Sequence, residues 1–137
     1  MDAVCTIPYT EVLKIRQQVL WPDKSIEFVK MPFDKSDNIM HFGIKKYNKL
    51  VSVVSINVDA NEMQICQFAT LPEYQGKGLG KVLMSHIFYK VNEYNIQKLW
   101  CNSREEKSGF YQKFGLKKTG VTYNRNNINI IQMELNI

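Results

Sequence analysis

Along this chain the spacing of apolar positions switches between a strand-like alternation and a helix-like recurrence, and each switch predicts an element boundary. Asp2 to Ile7 reads as a short strand halted by Pro8. Thr10 is placed to cap a helix whose apolar face is Val12, Leu13, Ile15, Val19 and Leu20, ending at Trp21-Pro22. Asp23 to Asn38 mixes Pro32 and scattered charges with Ile26, Phe28, Val29, Met31 and Phe33, and reads as a loop with one irregular helical turn. Ile39 to Tyr47 and Leu50 to Val58 follow as strands around the polar pair Asn48-Lys49, and Asp59 to Asn61 turns the chain into Glu62 to Leu71. Leu79, Val82, Leu83, His86, Ile87 and Val91 then recur at helical spacing before an apolar strand, Ile96 to Asn102. That order is a strand-helix-strand crossover, which makes the two strands parallel. Glu105 to Phe114 predicts a further helix ended by Gly115, and Leu116 to Tyr123 and Ile128 to Leu135 a terminal hairpin across Asn124 to Asn127.

The stretch Gln67 to Lys81, QFATLPEYQGKGLGK, occupies the strand-to-helix corner of that crossover. A helix start offers unpaired N–H groups and the positive end of the helix dipole to an anion, and glycines at 76, 78 and 80 let the backbone approach a ligand closely. A Walker loop fails here, because Lys81 is followed by Val82 and Gln75 stands where the first glycine belongs. A dinucleotide fingerprint fails as well, since its third glycine is missing. The bland alternative is a glycine-rich turn.

What remains, Gln75-x-x-Gly78-x-Gly80 with the lead-in Thr70-Leu71-Pro72-Glu73-Tyr74, resembles the coenzyme A pyrophosphate loop of the GNAT superfamily of N-acetyltransferases. A second segment resembles the same family: Asn102-Ser103-Arg104, then Phe110-Tyr111 and the closing Gly115-Leu116. The resemblance implies an α/β (α+β) GNAT fold, a mixed and mostly antiparallel sheet of six or seven strands flanked by three or four helices. In that fold two neighbouring parallel strands, here Glu62 to Leu71 and Ile96 to Asn102, splay apart.

It further implies acetyl-CoA-dependent transfer to a primary amine by direct attack in a ternary complex. Main chain at Phe68, Ala69 and Thr70 is expected to bond the pantetheine arm, with the Phe68 N–H facing the thioester carbonyl. Gln75, Gly76, Lys77, Gly78, Leu79, Gly80 and Lys81 are expected to hold the pyrophosphate, and Asn102 the arm. Tyr111, a phenol protonated at neutral pH, is expected to protonate the leaving thiolate; without the motif it would read as a core aromatic. In relatives a carboxylate on the strand before the loop often takes the amine proton. Counting back eleven residues from Gln75 reaches Gln64, which cannot ionise, so the candidates are Glu62 on the same strand face, Glu73 in the loop, or a water chain. His86 reads as a core histidine, and His41 as a strand residue that could face the acceptor. Cys66 could carry an acetyl group, but no basic partner is evident. The acceptor pocket is expected from the first helix, the Asp23 to Asn38 loop and the terminal hairpin, with Arg16, Trp21, Asp34, Tyr123 and Arg125 as candidate lining. Dimerisation through terminal strands or flanking helices is common in the family.

Composition narrows the rest. At 137 residues with 45% hydrophobic content, one domain (1–137) with a single core is expected. A formal charge of +5, dispersed along the chain, does not read as a nucleic-acid stripe but favours an anionic cosubstrate. Cys5, Cys66 and Cys101 are odd in number and far apart, which suits free thiols in a reducing cytoplasm rather than disulfides or a metal site. No membrane span is expected. Two other classes compete: a coenzyme A-binding sensor without chemistry, suggested by Gln64, and a nucleic-acid-binding protein, suggested by the isoelectric point near 9.1.

Overall fold

The computed structural model describes residues 3–137, so Asp2 of the first expected strand lies outside the described residues. The strands are β1 (Val4–Thr6), β2 (Ile39–Lys46), β3 (Lys49–Asp59), β4 (Glu62–Thr70), β5 (Lys98–Arg104), β6 (Lys117–Arg125) and β7 (Ile128–Asn136). The helices are α1 (Tyr9–Leu20), α2 (Ile26–Val29), α3 (Leu79–Glu93) and α4 (Ser108–Gln112). The strands form one seven-stranded sheet in the order β1-β2-β3-β4-β5-β7-β6. Among the described residues only β4 and β5 run parallel. This is the mixed α/β architecture that the motifs implied.

Strand alternation sorts the core between two faces. Ser55 and its register partners His41 and Cys66 face α1, from which Arg16 reaches Ser55. Phe42, Val54, Ile56 and Ile65 turn to the other face, where α3 lies and Phe42 meets His86 with ring centroids 4.6 Å apart. Helix α3 buries Leu79, Leu83, Met84, Ile87 and Val91 against that face, which is the apolar stripe seen in the sequence. Each such fully buried side chain contributes roughly 1.5–3 kcal/mol.

Several boundaries differ from expectation for local reasons. Helix α1 begins at Tyr9 behind an extended Pro8, so Thr10 lies inside the first turn and caps nothing. Proline suits that start because its missing N–H lies where none is needed. The first hairpin turns at Tyr47-Asn48, both in the left-handed region (φ 51° and 64°), and Lys49 already pairs with Lys46. The Asp23 to Asn38 segment holds two short helical pieces, α2 and a 3-10 turn at Pro32–Lys35. The fifth strand is shifted to Lys98–Arg104, and the last helix is a 3-10 turn at Glu105–Lys107 running into α4. The terminal hairpin tightens to Asn126-Asn127, again both left-handed.

Candidate active site

Strands β4 and β5 share only a short ladder, Glu62 to Ile65 against Lys98 to Cys101. Beyond it β4 continues to Thr70 and β5 to Arg104 with no register partners across the gap. On the other side of β4 the register with β3 slips: Ser55 faces Cys66 and Val53 faces Ala69, leaving Gln67 and Phe68 opposite the single Val54. Gln67 has φ 46°, the left-handed conformation that one class of bulge uses at its first residue, there as a glycine. The Leu71 N–H bonds the Val51 carbonyl at 2.9 Å. By alternation Ala69 also faces β3, so the N–H and C=O groups of Phe68 and Thr70 point into the open gap. The bulge is therefore what aims main chain at the wedge.

At the top of the wedge the Gln75 side chain donates to the Thr70 carbonyl at 2.9 Å, and the Thr70 hydroxyl meets Ser52 Oγ at 2.7 Å. Gln75 thus closes the loop instead of projecting outward. Gly76 and Gly78 are left-handed (φ 73° and 82°), and a Cβ on either would meet nothing within 4 Å. Gly78 precedes α3 without any side-chain cap, so the first N–H groups of a 15-residue helix face an open, exposed cradle. That cradle fits a pyrophosphate. Gly80 differs: its Cβ would sit 3.1 Å from the Phe110 ring, so it lets α4 pack on α3. Lys81 is exposed, and Lys77 Nζ lies 5.4 Å from the Tyr74 ring centroid, at the same cradle.

Tyr111 stands beside this gap, buried to 8% exposure, its ring 6.2 Å from Phe68 and 5.2 Å from Phe110. Burial, with smaller contributions from the Cys101 and Cys66 thiols on the two parting strands, pushes its phenol far above the usual range. Asn102, exposed opposite Gln132 of β7, is the first residue of β5 past the shared ladder.

Glu62, the candidate base on β4, is not brought to the wedge. Glu62 opens β4 at the β3–β4 turn, and its carboxylate lies 3.7 Å from Lys98 Nζ. Six residues of strand separate it from Phe68, a rise of about 20 Å. Glu73 is exposed; a backbone hydrogen bond, then Lys49 3.4 Å away, hold its carboxyl below the ordinary range. Burial pushes the Cys66 thiol up to about 12, so it is no thiolate at neutral pH.

On the α1 face lies a buried polar network. Asp34 Oδ2 accepts from Tyr9 Oη (2.8 Å), Arg16 Nη1 (2.8 Å) and the Met31 N–H (2.9 Å). Arg16 Nη2 donates to Ser55 Oγ at 3.0 Å, and Ser55 Oγ lies 2.6 Å from His41 Nδ1. Because Ser55 accepts from Arg16, its own proton is free for an unprotonated His41. Desolvation and then Arg16 lower the His41 pKa, in keeping with that neutral ring. Arg16 and Asp34, whose side chains are 0% and 2% exposed, therefore pin the 31–35 turn from within rather than touching an acceptor. A hollow of about 330 Å³ opens on the same side, between Trp21, Asp23 and Lys24 after α1 and Asn126, Asn127 and Ile128 of the terminal hairpin. Trp21 is 6% exposed, Tyr123 is 47% exposed, and Arg125 packs on Trp21 and Phe28. The bulge at Gln67, the Gln75 clamp and an Arg104–Trp21–Arg125 cluster were not read from the sequence. Each joins residues far apart in the chain, and only the Gln75 motif position hinted at one of them.

The geometry has counterparts among known proteins. Residues 23–137 match the acetyltransferase (GNAT) domain family. The chain is 31% identical over 127 residues to the uncharacterized N-acetyltransferase YitI of Bacillus subtilis, covering 88% of this chain and 85% of YitI. Its fold superposes with a TM-score of 0.82 on the ribosomal-protein-S18-alanine N-acetyltransferase of Escherichia coli, at 19% identity over 100% of this chain and 94% of that one. It superposes with a TM-score of 0.72 on a GNAT family acetyltransferase of Elizabethkingia anophelis with acetyl-CoA bound, at 16% identity over 99% of this chain and 98% of that one. The chain belongs to the GNAT family of acetyltransferases and is an N-acetyltransferase.

Proposed function

We propose that this chain, acting as one domain in a reducing cytosol, moves the acetyl group of acetyl-CoA directly to a primary amine within a ternary complex. The observation that carries the reading is the wedge: a bulge that turns Phe68 and Thr70 main chain toward a gap whose upper end is a bare helix start. An acetyl-CoA-bound relative with the same fold supports it. Acetyl-CoA supplies the activated acyl group. The Phe68 N–H stabilises the oxyanion that develops on attack, where a preorganised donor acts far more strongly than water does. Ala69 and Thr70 align the pantetheine arm from β4, and Asn102 from β5. Gly76, Lys77, Gly78, Leu79 and Lys81 cradle the diphosphate, while Gln75 and Gly80 hold that cradle in shape. Tyr111, held protonated by burial, donates a hydrogen bond to the departing thiolate, which takes up through water the proton that the amine releases.

The amine proton leaves through water, because Glu62 sits at the far end of β4 beside Lys98 and Glu73 is exposed and turned to Lys49. The raised Cys66 thiol favours direct transfer over an acetyl-cysteine intermediate. Acetyl-CoA is expected to raise the melting temperature, and an amine panel to release free thiol with sequential initial-rate kinetics that survive Cys66→Ala. Ping-pong kinetics abolished by that substitution overturn the direct route, and no thermal shift with no thiol release overturns the reading.

A further inference from the structure

The acceptor side of the wedge carries positive charge that the fold neutralises only in part. Arg104 ends β5, two residues beyond Asn102 and on the same strand face, and its Nη2 donates to the Leu20 carbonyl at the end of α1 at 2.7 Å. Its guanidinium lies 4.9 Å from the Trp21 ring centroid, and that of Arg125, from the end of β6, lies 5.0 Å from the same centroid. Arg125 also lies 5.0 Å from the Phe28 ring centroid and makes two neutral polar contacts, Nη1 to Met31 Sδ at 3.3 Å and Nη2 to the Phe28 carbonyl at 3.5 Å. Among the described residues neither guanidinium has a carboxylate within 4.0 Å. The hollow beside Trp21 adds Asp23 and Lys24, which offset one another, and Glu106 acts on Arg104 from beyond ion-pair distance, so the cluster keeps a net positive charge with neither guanidinium paired.

Two half-buried guanidiniums on one indole repel each other and leave most of their donors unused. A packing role for Trp21 needs one stacked cation, not two. A planar two-oxygen anion answers both deficits, because each guanidinium fork matches a carboxylate edge and the anion screens the repulsion. Arg104 also lies at the right place: three residues past Cys101, the last rung shared with β4, it is about 10 Å along the strand from where the wedge opens.

We infer that Arg104 and Arg125, seated on Trp21, are an anion subsite of the acceptor cleft, and that the acceptor is an amine that also carries a carboxylate, an ω-amino acid or a short acidic peptide. This rests on the transferase reading above and narrows its substrate class. The amine enters the wedge while the carboxylate is held at the mouth between α1 and the terminal hairpin.

The test uses the full chain with acetyl-CoA and follows thiol release across a ladder of ω-amino acids from glycine upward, their carboxamides, and α,ω-diamines of matched length. At the best length the acid is expected to exceed its amide and the diamine by roughly ten-fold or more in kcat/KM, the worth of one charge-assisted contact. Arg125→Gln and Arg104→Gln are each expected to erase most of that ratio by raising KM for the acid, with Arg125→Lys intermediate. Arg125→Glu is expected to turn the preference toward diamines. The acetyl-CoA thermal shift of each variant reports that it is folded. Amides or diamines that match the acids in wild type, or a ratio that survives both glutamine variants, overturn the subsite. If diamines alone are acetylated, the subsite falls and the transferase reading stands; if acetyl-CoA gives no thermal shift and no amine releases thiol, both fall.

Discussion

At the scale of single residues, burial decides which groups can do chemistry. Tyr111 is the clearest case, since the surroundings that made it look like a core aromatic are also what keep its phenol protonated. Tyr111→Phe removes one hydroxyl from a packed site and leaves the loop at 75–81 untouched, so turnover is expected to fall by about 100-fold while coenzyme A affinity stays within error, read by stopped thiol release and calorimetry. Because the phenol is raised, the wild-type rate is expected to show no alkaline decline through the ordinary phenol range that Tyr111→Phe abolishes. His41 and Cys66 show the same rule, polar groups whose burial favours the uncharged form. His86, edge-on to Phe42 and stacked with Tyr89, is half-buried on α3, and its Nε2 has no hydrogen-bond partner among the described residues, so it is not the satisfied core histidine that its helical spacing suggested.

At the scale of elements, the corner between β4 and α3 separates backbone demands from packing demands. Gly78 is left-handed in open space, so Gly78→Ala meets no neighbour but forces an unfavourable φ. It is expected to lower stability by about 1 kcal/mol and to weaken coenzyme A binding as the cradle relaxes, whereas Gly78→Asn is expected to retain both more fully. The elements themselves were legible where local pattern suffices. The stripe of α3, the β2–β3–β4 meander and the parallel crossover all follow from apolar spacing and turn residues, and the loop was legible from Gln75, Gly78 and Gly80. The bulge at Gln67–Phe68 was not, because it depends on slippage against β3 and no glycine marks it. Nor was the remoteness of Glu62: alternation gives the face of a strand residue but not how far along the strand the chemistry sits. The Asp34 network hid for a similar reason, its partners Tyr9, Arg16 and Met31 being gathered from two helical segments.

At the scale of the whole molecule, both histidines link stability to pH. Desolvation lowers the pKa of each below its ordinary value of 6.5, aided by Arg16 at His41 and by Lys90 at His86. The unfolded chain then binds more protons than the folded one just below that value. Stability is therefore full above pH 6.5 and is lost as pH falls through it. The melting temperature is expected to be lower at about pH 5.5 than at pH 7.5 in low-salt buffer, and His41→Asn to flatten that slope; a level profile in wild type contradicts the assignment.

The brief ladder between β4 and β5 also has a mechanical meaning. It divides the sheet into two leaves, β1 through β4 and β5 with β7 and β6, joined by few rungs and by α3. Few rungs resist motion along that seam, so the angle between the leaves is a compliant coordinate. A molecule lodged there acts as a splint, and a substitution anywhere that changes the resting angle alters affinity without touching what is bound.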